Sequence, residues 1–250
     1  MRRRLLNGWL KWRSVILSYI GNDIVDLKDP GNRKKSMDSR FLKKTLTDEE
    51  IEIVNLSRNP DTALWSFWAC KEAAYKVIKK SHHEDSFIPS RWSVKIRLPS
   101  TKHPVSSGAE RNVGLRSHMG QYHQPYTDYQ KGQVMIPGRA AISVYLSSHL
   151  SYVHCIASNA LSALDSSIWG VNILPGRKDG QNDNPSSLAR KCLAHRLAIF
   201  LRLSQSDIKI RRIKNGTELL PPIVYIGGMR ADIDLSLSHD GRFISYAFIY

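Results

Sequence analysis

Two stretches far apart in the chain, VYLSSHLSYVHCIA at 144–157 and LSLSHDGRFISYAFI at 235–249, are built alike: a strand, a Ser-His pair, an aromatic residue and a second strand. Each alternates apolar and polar residues at the period of a half-buried strand, and each is preceded by further strand and helix material. The repetition points to two pseudo-equivalent α/β halves with antiparallel sheets packed together. Hairpins this short also arise independently, so the pattern alone leaves both readings open.

The elements around the hairpins read as follows. YIGNDIVDL is a buried strand running into a loop, and TLTDEEIEIV carries a capping box, with Thr47 as N-cap and Glu50 three residues later, so a helix starts near Asp48. A second helix holds WACKEAAYKVIKK, and RWSVKIRL follows as a strand. Residues 99–133, rich in Ser, Gly, His and charge, read as a long exposed excursion. SIWGVNILP is a strand, GRKDGQNDNPSS a linker and LARKCLAHRLAIFLRL an amphipathic helix with a basic end. IKIRRI, PPIVYI, IDLSLS and RFISYAFIY close the chain as strands. The fold class is α+β, with a basic extension over 1–20, a first half over 21–160 and a second over 161–250.

At 250 residues and 42% hydrophobic content, the chain is long enough to bury a sizeable core. Its three cysteines, Cys70, Cys155 and Cys192, show neither disulfide nor zinc spacing and fit a reducing cytoplasm. A net charge of +15 calls for anionic partners: nucleic acid, a phosphorylated cofactor, an acidic protein or a lipid surface. The basic residues are dispersed and carry no nucleic-acid-binding signature, so a basic nucleic-acid-binding protein is the runner-up reading. In the N-terminal MRRRLLNGWLKWRSVILSYI, Lys11 and Arg13 interrupt the apolar run a signal peptide needs, and no stretch approaches the ~20 apolar residues of a membrane span.

Within WACKEAAYKVIKK, Trp68, Ala69, Ala73 and Val77 fall near one helical face, suited to docking on a core. Lys71 and Lys76 then fall on or beside the opposite face, and Glu72 with Lys76 forms an i, i+4 pair worth about 0.2–0.5 kcal/mol. Spacing alone gives Glu72 no further task.

Taken in order, GNDIVDL (21–27), RFLKKTLTDEE (40–50), WACKEAAYK (68–76) and LSLSHDGRFISYAF (235–248) resemble the signature blocks of the 4'-phosphopantetheinyl transferase superfamily, most closely its holo-acyl-carrier-protein synthase branch. The resemblance implies transfer of the phosphopantetheine arm of coenzyme A to a serine of an acyl or peptidyl carrier protein, with release of adenosine 3',5'-bisphosphate. It implies Mg²⁺ as cofactor, held by Asp23 and Glu72. Lys76 matches the phosphate-contacting lysine, Lys71 either a second coenzyme contact or a structural support, and Ser238 with His239 the Ser-His block that meets a coenzyme phosphate. His149, the counterpart in the first hairpin, reads as structural. Asp26 matches an acidic position of the branch that orients the site, or else bonds its own loop.

Two departures stand out. Val25 occupies the place where larger transferases carry another acid, and NGTELLPP sets Glu218 where a Gly-x-Pro would have its proline. Short relatives work as trimers with sites between subunits, whereas a duplicated chain encloses one site between its halves, so this chain is expected to act as a monomer. RKK at 33–35 and KK at 43–44 are candidates for docking an acidic carrier. A non-catalytic coenzyme-A-binding member of the same fold is the other alternative, and would call for a lost carboxylate.

Overall fold

The computed structural model describes residues 18–82, 84–96, 129–174, 184–216 and 218–250. Residues 1–17 of the basic extension, most of the 99–133 excursion and residues 176–183 of the expected linker lie outside the described residues.

The first half opens with β1 (Ile20–Asp26), continues through α1 (Ser39–Thr45), α2 (Asp48–Leu56) and α3 (Pro60–Ser81), and ends in β2 (Ser93–Ile96), β3 (Gln130–Met135), β4 (Ile142–Ser148) and β5 (Tyr152–Ser158). The expected capping box is present at α2: Thr47 Oγ1 accepts from Glu50 N, and Glu50 Oε2 accepts from Thr47 N. Proline in the first turn of α3 suits a position whose N–H has no helical partner. The strands form one antiparallel sheet in the order β1-β5-β4-β3-β2. β3 begins at Gln130, so the end of the expected excursion is sheet: Gly132 and the polar residues around it hide a strand whose alternation is weak.

The second half runs α4 (Leu161–Asp165), β6 (Ile168–Ile173), α5 (Pro185–Leu201), β7 (Ile208–Arg211), the short β8 (Lys214–Asn215) and β9 (Glu218–Leu219), β10 (Ile223–Ile226), β11 (Met229–Arg230), β12 (Asp234–Asp240) and β13 (Phe243–Ile249). Its strands pair as β12-β13-β6 and β11-β10-β7. The opening strand of each half pairs with the second strand of that half's hairpin, giving β1-β5-β4 and β6-β13-β12. Each half also lays one long helix on its sheet. The repeated hairpin therefore reports two halves of one design, the second with its sheet divided.

One core lies between α3 and the first sheet, where Leu64, Phe67, Ala69, Ala73, Val144 and Val153 are buried. Another lies under α5, around Leu193, Leu197, Leu235 and Phe248. Between the halves, Ile20, Tyr145, Ile156, Ala247 and Ile249 form one apolar cluster, and Ile24, Val171 and Phe243 another. α3 approaches β1 so closely that a Cβ on Gly21 would sit 2.0 Å from the Ala73 carbonyl oxygen, so only glycine fits there. All three cysteines are buried. Among the described residues, no helix is long and apolar enough to cross a membrane.

Candidate active site

Asp23 leaves the middle of β1 and is 7% exposed. Its Oδ1 accepts from Lys76 Nζ at 2.9 Å and from Ser238 Oγ at 2.8 Å. Lys76, one turn beyond Glu72 on α3, also donates to the Asn22 carbonyl at 2.8 Å. Glu72 is near enough for its charge and that of Asp23 to repel. Burial first, and the Asp23 carboxylate second, push the Glu72 carboxyl up to about 7, against the pull of Lys76.

His239 follows Ser238 on β12 and is exposed to solvent. Partial desolvation, then the Lys76 ammonium, hold its imidazole below the usual range, and Arg212 adds to the same effect. Arg212 is in turn depressed by burial and by Arg190. Lys76 and Arg212 thus supply positive charge beside the Asp23 and Glu72 carboxylates, with the imidazole of His239, kept neutral by burial and by them, as a hydrogen-bonding neighbour. Arg212 was not singled out from the sequence; its place in IKIRRIK, just past a strand of the second half, was the available signal.

Lys71 is placed elsewhere. Its side chain is fully buried, and its ammonium donates to the Thr45 carbonyl at 3.0 Å, the Pro89 carbonyl at 2.9 Å and Glu50 Oε2. The expected solvated face and coenzyme contact are replaced by a core ion pair, because the capping glutamate turns inward and needs a counter-charge. Glu50 Oε1 meanwhile accepts from Val94 N at 2.8 Å, tying α2 and α3 to β2. Asp26 likewise serves structure: buried, it receives Arg242 Nε at 2.7 Å and Nη2 at 2.6 Å, and the Lys28 and Arg242 amides. Val25, in the place of the missing acid, is buried.

A divalent cation of the Mg²⁺ class asks for a couple of carboxylate oxygens, the rest being water and phosphate. Asp23 and a Glu72 carboxyl that resists ionisation near neutrality, through burial first and the Asp23 charge second, fit that demand, since a cation would offset both the desolvation and the repulsion. Among the described residues, no group of three or more His, Cys, Asp or Glu side chains could hold a metal ion, so protein ligation would stop at Asp23 and Glu72. A cavity of about 580 Å³ opens farther along the seam, between Tyr19, Lys80 and the stretches 220–223 and 230–234.

The chain resembles the 4'-phosphopantetheinyl transferase superfamily, whose family model matches residues 19–125, the part that supplies both carboxylates. Two holo-[acyl-carrier-protein] synthases from strains of Leptospira biflexa serovar Patoc are each 36% identical to it over 59 residues, 24% of this chain and 46% of theirs. The chain thus spans about half the length of the curated relatives it matches.

Proposed function

We propose that this chain transfers the 4'-phosphopantetheine arm of coenzyme A to a serine of an apo acyl or peptidyl carrier protein, releasing adenosine 3',5'-bisphosphate. The observation that carries the reading is the meeting of Asp23, Glu72 and Lys76 with Ser238 and His239 across the seam. In the reaction, the carrier serine hydroxyl loses its proton to solvent as its oxygen bonds to the phosphorus that bears the pantetheine arm, and the pyrophosphate bond breaks so that adenosine 3',5'-bisphosphate leaves with the bridging oxygen. Mg²⁺ held by Asp23 and Glu72 would neutralise the pyrophosphate and align the attacking and leaving oxygens. Lys76 and Arg212 supply the positive charge, and His239 a ring N–H donor, that bind and orient the coenzyme phosphates.

The carrier is proposed to dock beside α1. Arg33, Lys34, Arg40, Lys43 and Lys44 are exposed there, around a groove of about 470 Å³ lined by Met37, Leu42, Ile51 and Pro60. Opposite charge would steer an acidic partner, and the apolar floor would hold it. The deciding experiment is intact-mass spectrometry of an apo carrier incubated with the protein, coenzyme A and Mg²⁺. A gain of one phosphopantetheine group supports the reading. No gain with fatty-acid, polyketide or peptide carriers, together with tight sequence-selective binding of duplex DNA, would favour the nucleic-acid reading instead.

A further inference from the structure

The outer edge of β1, buried along its length, is met by β12 through side chains instead of a main-chain ladder. Ile20 N donates to Asp234 Oδ2 at 2.6 Å, Asn22 N to Ser236 Oγ at 2.9 Å and Asp26 N to Asp240 Oδ2 at 2.8 Å. Each pair is separated by 214 residues, so the two strands run parallel in one fixed register. Lys80, its side chain 5% exposed, closes one end by donating to the Ile20 carbonyl, Asp234 Oδ2 and the Leu235 carbonyl. Arg242 closes the other end on Asp26.

The same register sets Ser238 level with Ile24, and there the pattern changes. The Ser238 hydroxyl donates to Asp23 Oδ1, the oxygen that already accepts from Lys76. Two donors from two directions fix the rotation of the carboxylate, and among the described residues no hydrogen bond is made to Oδ2. We propose that Ser238 is a positioning residue for Asp23, turning Oδ2 towards the shared cation. The proposal rests on the metal-dependent reading above and departs from it in one respect: Ser238 serves the carboxylate and not the coenzyme. A hydroxyl from the second half thereby sets the affinity of a metal site whose ligands both belong to the first.

Binding of Mn²⁺ to the full chain, followed by the electron paramagnetic resonance of the free ion, tests this without turnover, with the coenzyme KM measured in parallel. Removing an outer partner of a metal ligand costs about 10–100-fold in affinity, and Ser238→Ala is expected to weaken Mn²⁺ within that range while leaving the coenzyme KM unchanged. Ser238→Thr keeps the hydroxyl and is expected to restore binding. Ser236→Ala removes a rung that touches only a main-chain amide, so it should lower thermal stability and leave Mn²⁺ affinity as in the wild type. The proposal is overturned if Ser238→Ala binds Mn²⁺ like the wild type, if Ser236→Ala weakens it equally, or if the coenzyme KM rises in place of the metal effect. A wild type that binds no Mn²⁺ overturns the metal reading itself, an outcome distinct from equal binding by wild type and variant.

Discussion

In the first half, β1 and α3 bring Asp23, Glu72 and Lys76 together, whereas the corresponding β6 and α5 of the second half carry Asn172, Lys191 and Arg196 and no carboxylate. The Ser-His pairs divide the other way. Ser238 reaches Asp23, but in the first half His149 stacks on Tyr152 with centroids 4.4 Å apart and meets Ser147 at 3.0 Å, while Ser148 lies 3.4 Å from Ser66. A duplicated architecture offers two positions for the acids and two Ser-His pairs. Among the described residues only the first half fills the acid positions, which is the basis for proposing a single site, and the leftover pair has settled into local packing.

The largest expected effect follows from that asymmetry. Asp23→Ala or Glu72→Ala should lower transfer by about 10³-fold or more, since each removes charge control where the transition state forms. Lys191→Ala, on the exposed face of the helix in the other half, should leave transfer intact. Steady-state rates with folding checked by circular dichroism decide the matter. A second-half variant as damaging as the first-half ones would mean that both halves house a site.

Two lysines of α3 give a sharper contrast. Lys71→Met strands buried Glu50 without its counter-charge and should cost about 3–5 kcal/mol of stability, read from denaturant midpoints. Lys76→Met, whose parent side chain is 28% exposed, should instead cost activity with little change in midpoint. The reverse assignment of effects would return Lys71 to the site.

That contrast also shows where the sequence stopped being informative. The α+β class, the hairpins, the capping box and the meeting of Asp23, Glu72, Lys76, Ser238 and His239 follow from local patterns and motif blocks, because each depends on residues near one another in the chain or on a recognised whole. The fate of Lys71 depends on Glu50 and Pro89 folding over it, contacts 21 and 18 residues away that no periodicity announces. Arg212 and the alternate side chains of β12 were hidden for the same reason: their partners sit in another element, and in the β12 ladder in the other half of the chain. The ladder reads in sequence as ordinary polar alternation on a half-buried strand.

Stability against pH tests the raised Glu72 carboxyl, which burial and the neighbouring Asp23 produce together. Glu72 holds its proton to about 7 when folded, against an ordinary 4.5. The folded state therefore binds more protons through this window, and the stability due to Glu72, fully present below 4.5, is lost as pH rises through 7. The shift corresponds to on the order of 3 kcal/mol. Without divalent cation, the wild type should lose that much relative to Glu72→Gln between the two limits, and Mg²⁺ should restore it. His154, buried at the seam and neutral down to about 3, acts in the opposite sense below its ordinary 6.5, but equally in both proteins, so their difference isolates Glu72. Parallel stability curves would show that neither burial nor Asp23 holds the Glu72 proton.

The smallest predicted effect belongs to the second half's contribution. His239→Ala should raise the coenzyme KM or lower kcat by roughly tenfold, the loss of one charge-assisted phosphate contact, with fold and metal affinity retained. An unchanged KM and kcat would remove His239 from the coenzyme site.

The central claim is that the two halves of a single chain build one transferase site between them. Mixing two damaged chains tests it most directly: Asp23→Ala, and a double variant carrying Ser238→Ala and His239→Ala, incubated together with coenzyme A, Mg²⁺ and an apo carrier whose intact mass is followed. Because each chain must complete its own seam, the mixture should modify the carrier no faster than the two variants measured apart and summed. A mixture that recovers a substantial fraction of wild-type transfer would show that the acids of one molecule work with the Ser-His strand of another, and would contradict the account.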